Sequence, residues 1–154
     1  AERQEAFEQF INTYHIKQRL NKIDPELRAF CSEEQIREMA NSPLVEIGSH
    51  THRHYNLSRI NPGLVEEELS KSKRMLEQII EKPVLSIGYP DGDYSENVKD
   101  ITENAGYKYQ LAVSFLSSKD HSDPRIRSRY SVSNSTDANT NKIMINRQFS
   151  KNGF

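Results

Sequence analysis

The chain has 154 residues, 34% of them hydrophobic, with a mean hydropathy of -0.82, which suffices for one domain with a thin core. Its 21 basic and 22 acidic side chains are interspersed and leave a net charge of -1, so no field of one sign draws it to nucleic acid or to an anionic membrane. No stretch approaches the roughly 20 apolar residues of a membrane span, the opening Ala-Glu-Arg-Gln-Glu-Ala lacks the apolar core of a signal peptide, and a lone cysteine, Cys31, excludes both an internal disulfide and a cysteine-based zinc site. A bound metal would rely on histidine and carboxylate.

In chain order, residues 4 to 20 place Phe7, Phe10, Ile11 and Tyr14 at three- and four-residue spacing, one apolar stripe on a packing helix. Ser32 and Gln35 stand at capping-box spacing, with Ile36, Met39 and Ala40 as a short buried face before Asn41-Ser42-Pro43 stops the helix. Leu44 to Gly48 then reads as a strand leading into a histidine-rich loop. Asn61-Pro62 is an N-cap and first-turn pair for a long helix whose stripe is Val65, Leu69, Ser72, Leu76, Ile79 and Ile80, ending at Lys82-Pro83. Val84 to Gly88 is strand-like, Pro90-Asp91-Gly92 is turn chemistry, and a helix is expected from about Ser95 to Ala105, closed by Gly106. Tyr109 to Ser114 reads as a further strand and Arg127 to Val132 as another, whereas Ser133 to Asn141 is almost wholly Ser, Asn, Thr and Asp and reads as an exposed loop. Strands alternating with helices predict α/β packing with parallel strands, and sites in such folds lie at the strands' C-terminal ends.

The residues that carry chemistry cluster where the Leu44–Gly48 segment ends. His50 and His54 are four apart with His52 between them, so on a tight turn two imidazoles could reach one ion. That spacing alone fits equally well with surface histidines making ordinary hydrogen bonds, and Pro90-Asp91-Gly92 alone is an ordinary strand-to-helix turn.

The longer stretch Val-Glu-Ile-Gly-Ser-His-Thr-His-Arg-His-Tyr-Asn-Leu at 45–57 resembles the second motif of the NodB-homology polysaccharide deacetylases, carbohydrate esterase family four. Gly-Tyr-Pro-Asp-Gly-Asp-Tyr at 88–94 resembles the Tyr-Pro form of that family's third motif, and the two occur in the family's order. The resemblance implies a distorted or incomplete (β/α) barrel, with His50 and His54 binding a catalytic divalent metal, zinc or else cobalt or nickel. It implies that the Asp91 backbone N–H holds the oxyanion and that Tyr89 and Pro90 form the wall against the sugar. Gly88 stands where many members carry an arginine that orients the catalytic aspartate. Arg129 of Arg129-Tyr130-Ser131-Val132 resembles an arginine of the members with the Tyr-Pro form, or is a surface arginine.

The family's first motif, which supplies the third metal ligand and the catalytic base, has an Asp-Asp pair, and no such pair occurs in these 154 residues. Its last motif, Leu-x-His with the general-acid histidine, has no counterpart between Ile143 and Phe154, and His121 comes too early beside Asp120 and Asp123. Residues 1–154 are therefore expected to form a single partial domain, with the resemblance covering about 32–132. The implied function is metal-dependent removal of N-acetyl groups from an amino-sugar polysaccharide, catalytically incomplete in this stretch, in an extracytoplasmic or envelope setting. The alternatives are a non-catalytic carbohydrate-binding or scaffold domain of the same fold, and an α/β domain whose histidine loop binds nothing.

Overall fold

The computed structural model describes residues 2–24, 29–129 and 137–151. The chain divides into two compact units, Ala1–Glu38 and Met39–Phe154.

In the first unit the expected helix over 4–20 is two helices, α1 (Glu2–Thr13) and α2 (Ile16–Leu20). The break falls at His15, whose φ of 49° leaves the right-handed helical region and interrupts the backbone ladder. Phe10 and Tyr14 share a face with their rings 4.9 Å apart, but they are 52% and 55% exposed, so the expected packing stripe is not buried at these positions; the side chain of Phe7 lies outside the described residues. Helix α3 (Glu33–Asn41) opens with the anticipated reciprocal cap: the Ser32 N–H donates to Gln35 Oε1 at 2.8 Å and the Gln35 N–H to Ser32 Oγ at 3.2 Å.

The second unit is built on α4 (Pro62–Ile80) and a three-stranded parallel sheet in the order β1 (Ser86–Gly88), β2 (Tyr109–Ala112), β3 (Ile126–Ser128). Helix α4 starts as its sequence dictates, with Asn61 Oδ1 accepting from the Leu64 N–H at 2.9 Å and Pro62 in the first turn. Helix α5 (Glu96–Asn104), capped by Ser95, carries the chain from β1 across to β2. Val65 and Leu69 of α4, Val84, Ile87 of β1, Val98 of α5, Ala112 of β2 and Ile126 of β3 are all buried and form the core. Each large member contributes roughly 1.5–3 kcal/mol by leaving water, and the short sheet relies on these contacts because three- and four-residue strands offer few ladder bonds.

Two expectations are corrected. Leu44 to Gly48 is not a strand: only Ser49 pairs, as an isolated parallel bridge to Ile87, and Leu44 is 93% exposed, so apolar composition there does not signal burial. The polar stretch expected to be loop through Asn141 instead starts a helix, α6 (Ala138–Lys151), because Asp137 caps it by accepting from the Thr140 N–H at 2.9 Å and from its hydroxyl at 2.6 Å. Residues 130–136, including the end of the predicted 127–132 strand, lie outside the described residues.

Candidate metal centre and its loops

The histidine loop begins where Ser49 is pinned beside β1, its N–H donating to Ser86 O and its carbonyl accepting from the Gly88 N–H, both at 2.9 Å. Ser49 Oγ donates to Ser72 Oγ of α4 at 2.9 Å and accepts from the Thr51 N–H at 3.2 Å. Thr51 and His54 have φ of 67° and 58°, so the loop is a tight double reversal and not the helical turn that four-residue spacing allows. Thr51 Oγ1 accepts from the His54 N–H at 3.0 Å and closes it.

This geometry brings the two outer imidazoles together, ring centroids 4.7 Å apart and edge to face. His50 Nδ1 lies 2.6 Å from Gly88 O. A carbonyl only accepts, so Nδ1 carries the hydrogen and the lone pair resides on Nε2. That is the arrangement by which metal-ligating histidines fix their tautomer. The donor set of two imidazoles, one with its second nitrogen already committed, fits a divalent ion of the zinc, cobalt or nickel type. Among the described residues no third His, Cys, Asp or Glu joins them.

A fully buried carboxylate that the sequence reading passed over holds the middle of the loop. Glu68 Oε2 accepts from the His52 N–H at 3.0 Å and the Arg53 N–H at 2.6 Å, with Arg53 Nη1 3.8 Å from Oε1. The signal was present: Glu68 falls on the same helical face as Val65, Leu69 and Ser72, and a carboxylate interrupting a buried stripe needs buried donors.

The second loop follows β1. Asp91 (φ 58°, ψ 1°) and Gly92 (φ 69°) reverse the chain within the Pro90–Gly92 turn, at the strand's C-terminal end. A Cβ on Gly92 would sit 3.0 Å from Val113 Cγ2, so a side chain is excluded by space as well as by φ. Pro90 is buried. Tyr89 is buried too, and its ring points inward, the hydroxyl donating to Gln110 Oε1 at 2.6 Å and lying 3.2 Å from Thr102 Oγ1. Burial pushes that phenol well above its ordinary range. The Tyr89 side chain therefore serves the core, and only its backbone faces the turn expected to line the sugar groove.

Two further contacts tie the loops together. Asp93 Oδ2 accepts from Ser58 Oγ at 2.7 Å and Asn56 Nδ2 at 3.1 Å, bonds that hold its carboxyl below the usual range. Arg129, just beyond β3, reaches back over β1: a Cβ on Gly88 would lie 3.0 Å from Arg129 Nη1 and 3.4 Å from His50 Nδ1. Arg129 Nε is buried with no hydrogen-bond partner among the described residues. Of the residues singled out from the sequence, His50, His54, Gly88 and Arg129 thus converge, Asp91 sits on the adjoining turn, and Tyr89 turns away.

Beyond this turn, Lys99 of α5 is buried against Asp120 Oδ1 at 2.8 Å and Asp123 Oδ2 at 3.0 Å, and Tyr94 donates to Asp120 Oδ2 at 2.7 Å. Asp120, which stands next to His121, is therefore a structural carboxylate.

Parallel strands, flanking helices and a pair of imidazoles at the sheet's C-terminal edge define an α/β protein with a histidine-loop site. The sequence profile of the polysaccharide deacetylases matches residues 3–110, and the chain belongs to that family. The poly-beta-1,6-N-acetyl-D-glucosamine N-deacetylase of Staphylococcus aureus (strain MRSA252) is 27% identical over 113 residues, 68% of this chain and 37% of that protein. YxkH of Bacillus subtilis (strain 168), named as a polysaccharide deacetylase, is 32% identical over 77 residues, 50% of this chain and 27% of its own. Among solved structures, the polysaccharide deacetylase BC0361 from Bacillus cereus is 26% identical with a TM-score of 0.57, over 77% of this chain and 42% of that one. The chain thus spans about a quarter to two fifths of the length of these curated relatives.

Proposed function

We propose that this chain serves the metal-dependent removal of N-acetyl groups from an amino-sugar polysaccharide, outside the cytoplasm. The observation that carries the reading is the His50 Nδ1–H bond to Gly88 O, which leaves Nε2 for a metal in a ring whose centroid is 4.7 Å from that of His54. His50 and His54 would hold the ion, zinc first and cobalt or nickel as alternatives. When bound, such an ion supplies a polarised amide carbonyl and an acidified water. The chain's own contribution is positional. The reversal at Asp91 offers that residue's backbone N–H to the developing oxyanion, and Arg129, whose buried Nε has no hydrogen-bond partner among the described residues, offers a charged anchor beside His50 to a carboxylate. Pro90 keeps the turn rigid. In the same reading the three parallel strands are part of a distorted (β/α) barrel.

The sequence holds no Asp-Asp pair and no Leu-x-His motif, and among the described residues no third ligand joins the histidines, so in this reading the stretch by itself is catalytically incomplete. The absence of an Asp-Asp pair also favours a second reading, a carbohydrate-binding or scaffold domain of the same fold. The polymer named for the S. aureus relative, poly-beta-1,6-N-acetyl-D-glucosamine, is the first substrate to test. The protein that contains this chain, supplied with zinc or cobalt, should release acetate from N-acetylglucosamine oligomers, and His50→Ala should not. Oligomer binding without acetate release would establish the second reading instead.

A further inference from the structure

Between the two proposed ligands lie His52 and Arg53, and both of their backbone N–H groups end on one oxygen of Glu68, at 3.0 and 2.6 Å. Glu68 sits on α4, has no exposed surface, and is the charged member of that helix's buried set of Val65, Glu68, Leu69, Ser72 and Ile80. Burying a carboxylate is costly unless donors meet it. Here the donors are two adjacent amides that a loop with positive φ at Thr51 and His54 turns the same way. The second oxygen, Oε1, has no hydrogen bond among the described residues and faces only Arg53 Nη1 at 3.8 Å, on a side chain that is 45% exposed. The carboxylate therefore spends its bonding on the loop backbone and not on α4 or on solvent.

The consequence concerns spacing. His50 is already fixed at one end by Gly88 O, and among the described residues His54 is held at the other by its N–H to Thr51 Oγ1 within the same loop. Without Glu68, the contact described from outside the loop to His52 or Arg53 is the exposed 4.0 Å ion pair of the Arg53 side chain with Glu67, which holds neither backbone N–H, and the distance between the imidazoles would be free to change. We infer that Glu68 is a positioning residue for the metal centre: its buried carboxylate sets the separation of His50 and His54, and thereby the affinity of the pair for a divalent ion. This rests on the proposal that those two histidines hold the metal.

The test is a titration of the 154-residue chain with Co2+, read by its visible absorption, and with Zn2+ by calorimetry, alongside thermal unfolding of the metal-free forms. Four variants are compared: His50→Ala, Glu68→Ala, Glu68→Gln and, as a control for lost stability, Val98→Ala in the core of α5. Supporting removal of an outer-shell partner, Glu68→Ala should weaken binding of both ions by about tenfold or more and change the cobalt spectrum. Glu68→Gln, which keeps a neutral acceptor for the two N–H groups, should weaken it less, while Val98→Ala should lower the melting temperature and leave affinity and spectrum as they are. Wild-type affinity in Glu68→Ala, or an equal loss in Val98→Ala, would overturn the inference. Should Glu68→Ala not fold, Glu68→Gln decides: an unaltered affinity and spectrum overturn it. Failure of the underlying proposal looks different, since then His50→Ala binds the ions as well as the wild type does.

Discussion

The Arg129 guanidinium lies over Gly88, so close that a single added methyl group at Gly88 would meet Nη1 at 3.0 Å. The glycine at the end of β1 and the arginine beyond β3 are complementary in volume: the strand gives up its side chain and the arginine fills the space beside His50.

Gly88→Ala should therefore disturb the site more than the fold. The arginine's end is flexible and can yield by a few tenths of an ångström, so unfolding by urea should shift by no more than about 1 kcal/mol. Zinc affinity should drop several-fold as Arg129 presses on His50. Gly88→Arg should do greater harm, and Arg129→Ala added to it should restore part of the binding. Independent, additive effects of the two substitutions would show that they do not share the space.

Tyr89→Phe separates core from groove. Removing the hydroxyl leaves Gln110 Oε1 buried without its 2.6 Å donor, at a cost of roughly 1–3 kcal/mol. Binding of an acetylated oligomer should not change, because the ring points into the core. Weaker binding with unchanged stability would mean that the side chain meets sugar after all.

Lys99→Met should be the most damaging of these changes to stability. It strips the buried cation from Asp120 and Asp123, which stand 2.8 and 3.0 Å away. Breaking a buried pair from one side costs about 3–5 kcal/mol, and a melting temperature within a degree or two of wild type would refute this.

Acid should unfold the protein through the same cluster. Hydrogen bonds from Arg125 hold Asp123 far below the usual carboxylate range, with Lys99 adding to them against the effect of burial. Burial by itself would raise Asp120, but bonds from Lys99, Tyr94 and the Ser117 N–H outweigh it, and its net shift is downward. Both groups bind protons more tightly when unfolded, so their stabilisation is complete above the ordinary aspartate value of about 4 and is lost as pH falls through and below it. Urea midpoints measured from pH 6 to pH 2 should fall in Lys99-containing protein and be flatter in Asp123→Asn.

Much of the second unit was legible in the sequence because local rules and tertiary structure agree there. Asn61-Pro62 and Ser95 begin helices where capping chemistry says they should, and Val84–Gly88 and Tyr109–Ser114 contain the parallel strands β1 and β2. Leu44 to Gly48 misled because apolar character does not reveal whether a neighbour strand exists to pair with, and Asp137 was hidden in a polar run that reads as loop. In the site, the histidine pair was visible as spacing. Its supports were not: Glu68 lies 16 residues from His52, and Gly88 O lies 38 from His50. Contacts of that range are set by the packing of α4 on the sheet, which no local pattern encodes.

That range also governs when the site exists during folding. Closing a long loop costs chain entropy before any contact repays it, so the His50–Gly88 contact can form only once Ser49 has docked against β1. The imidazole pair is then expected to assemble with the native packing around β1 and not before it. An ion that needs both rings would bind the native form alone, and its presence would raise the melting temperature in proportion to the logarithm of its concentration.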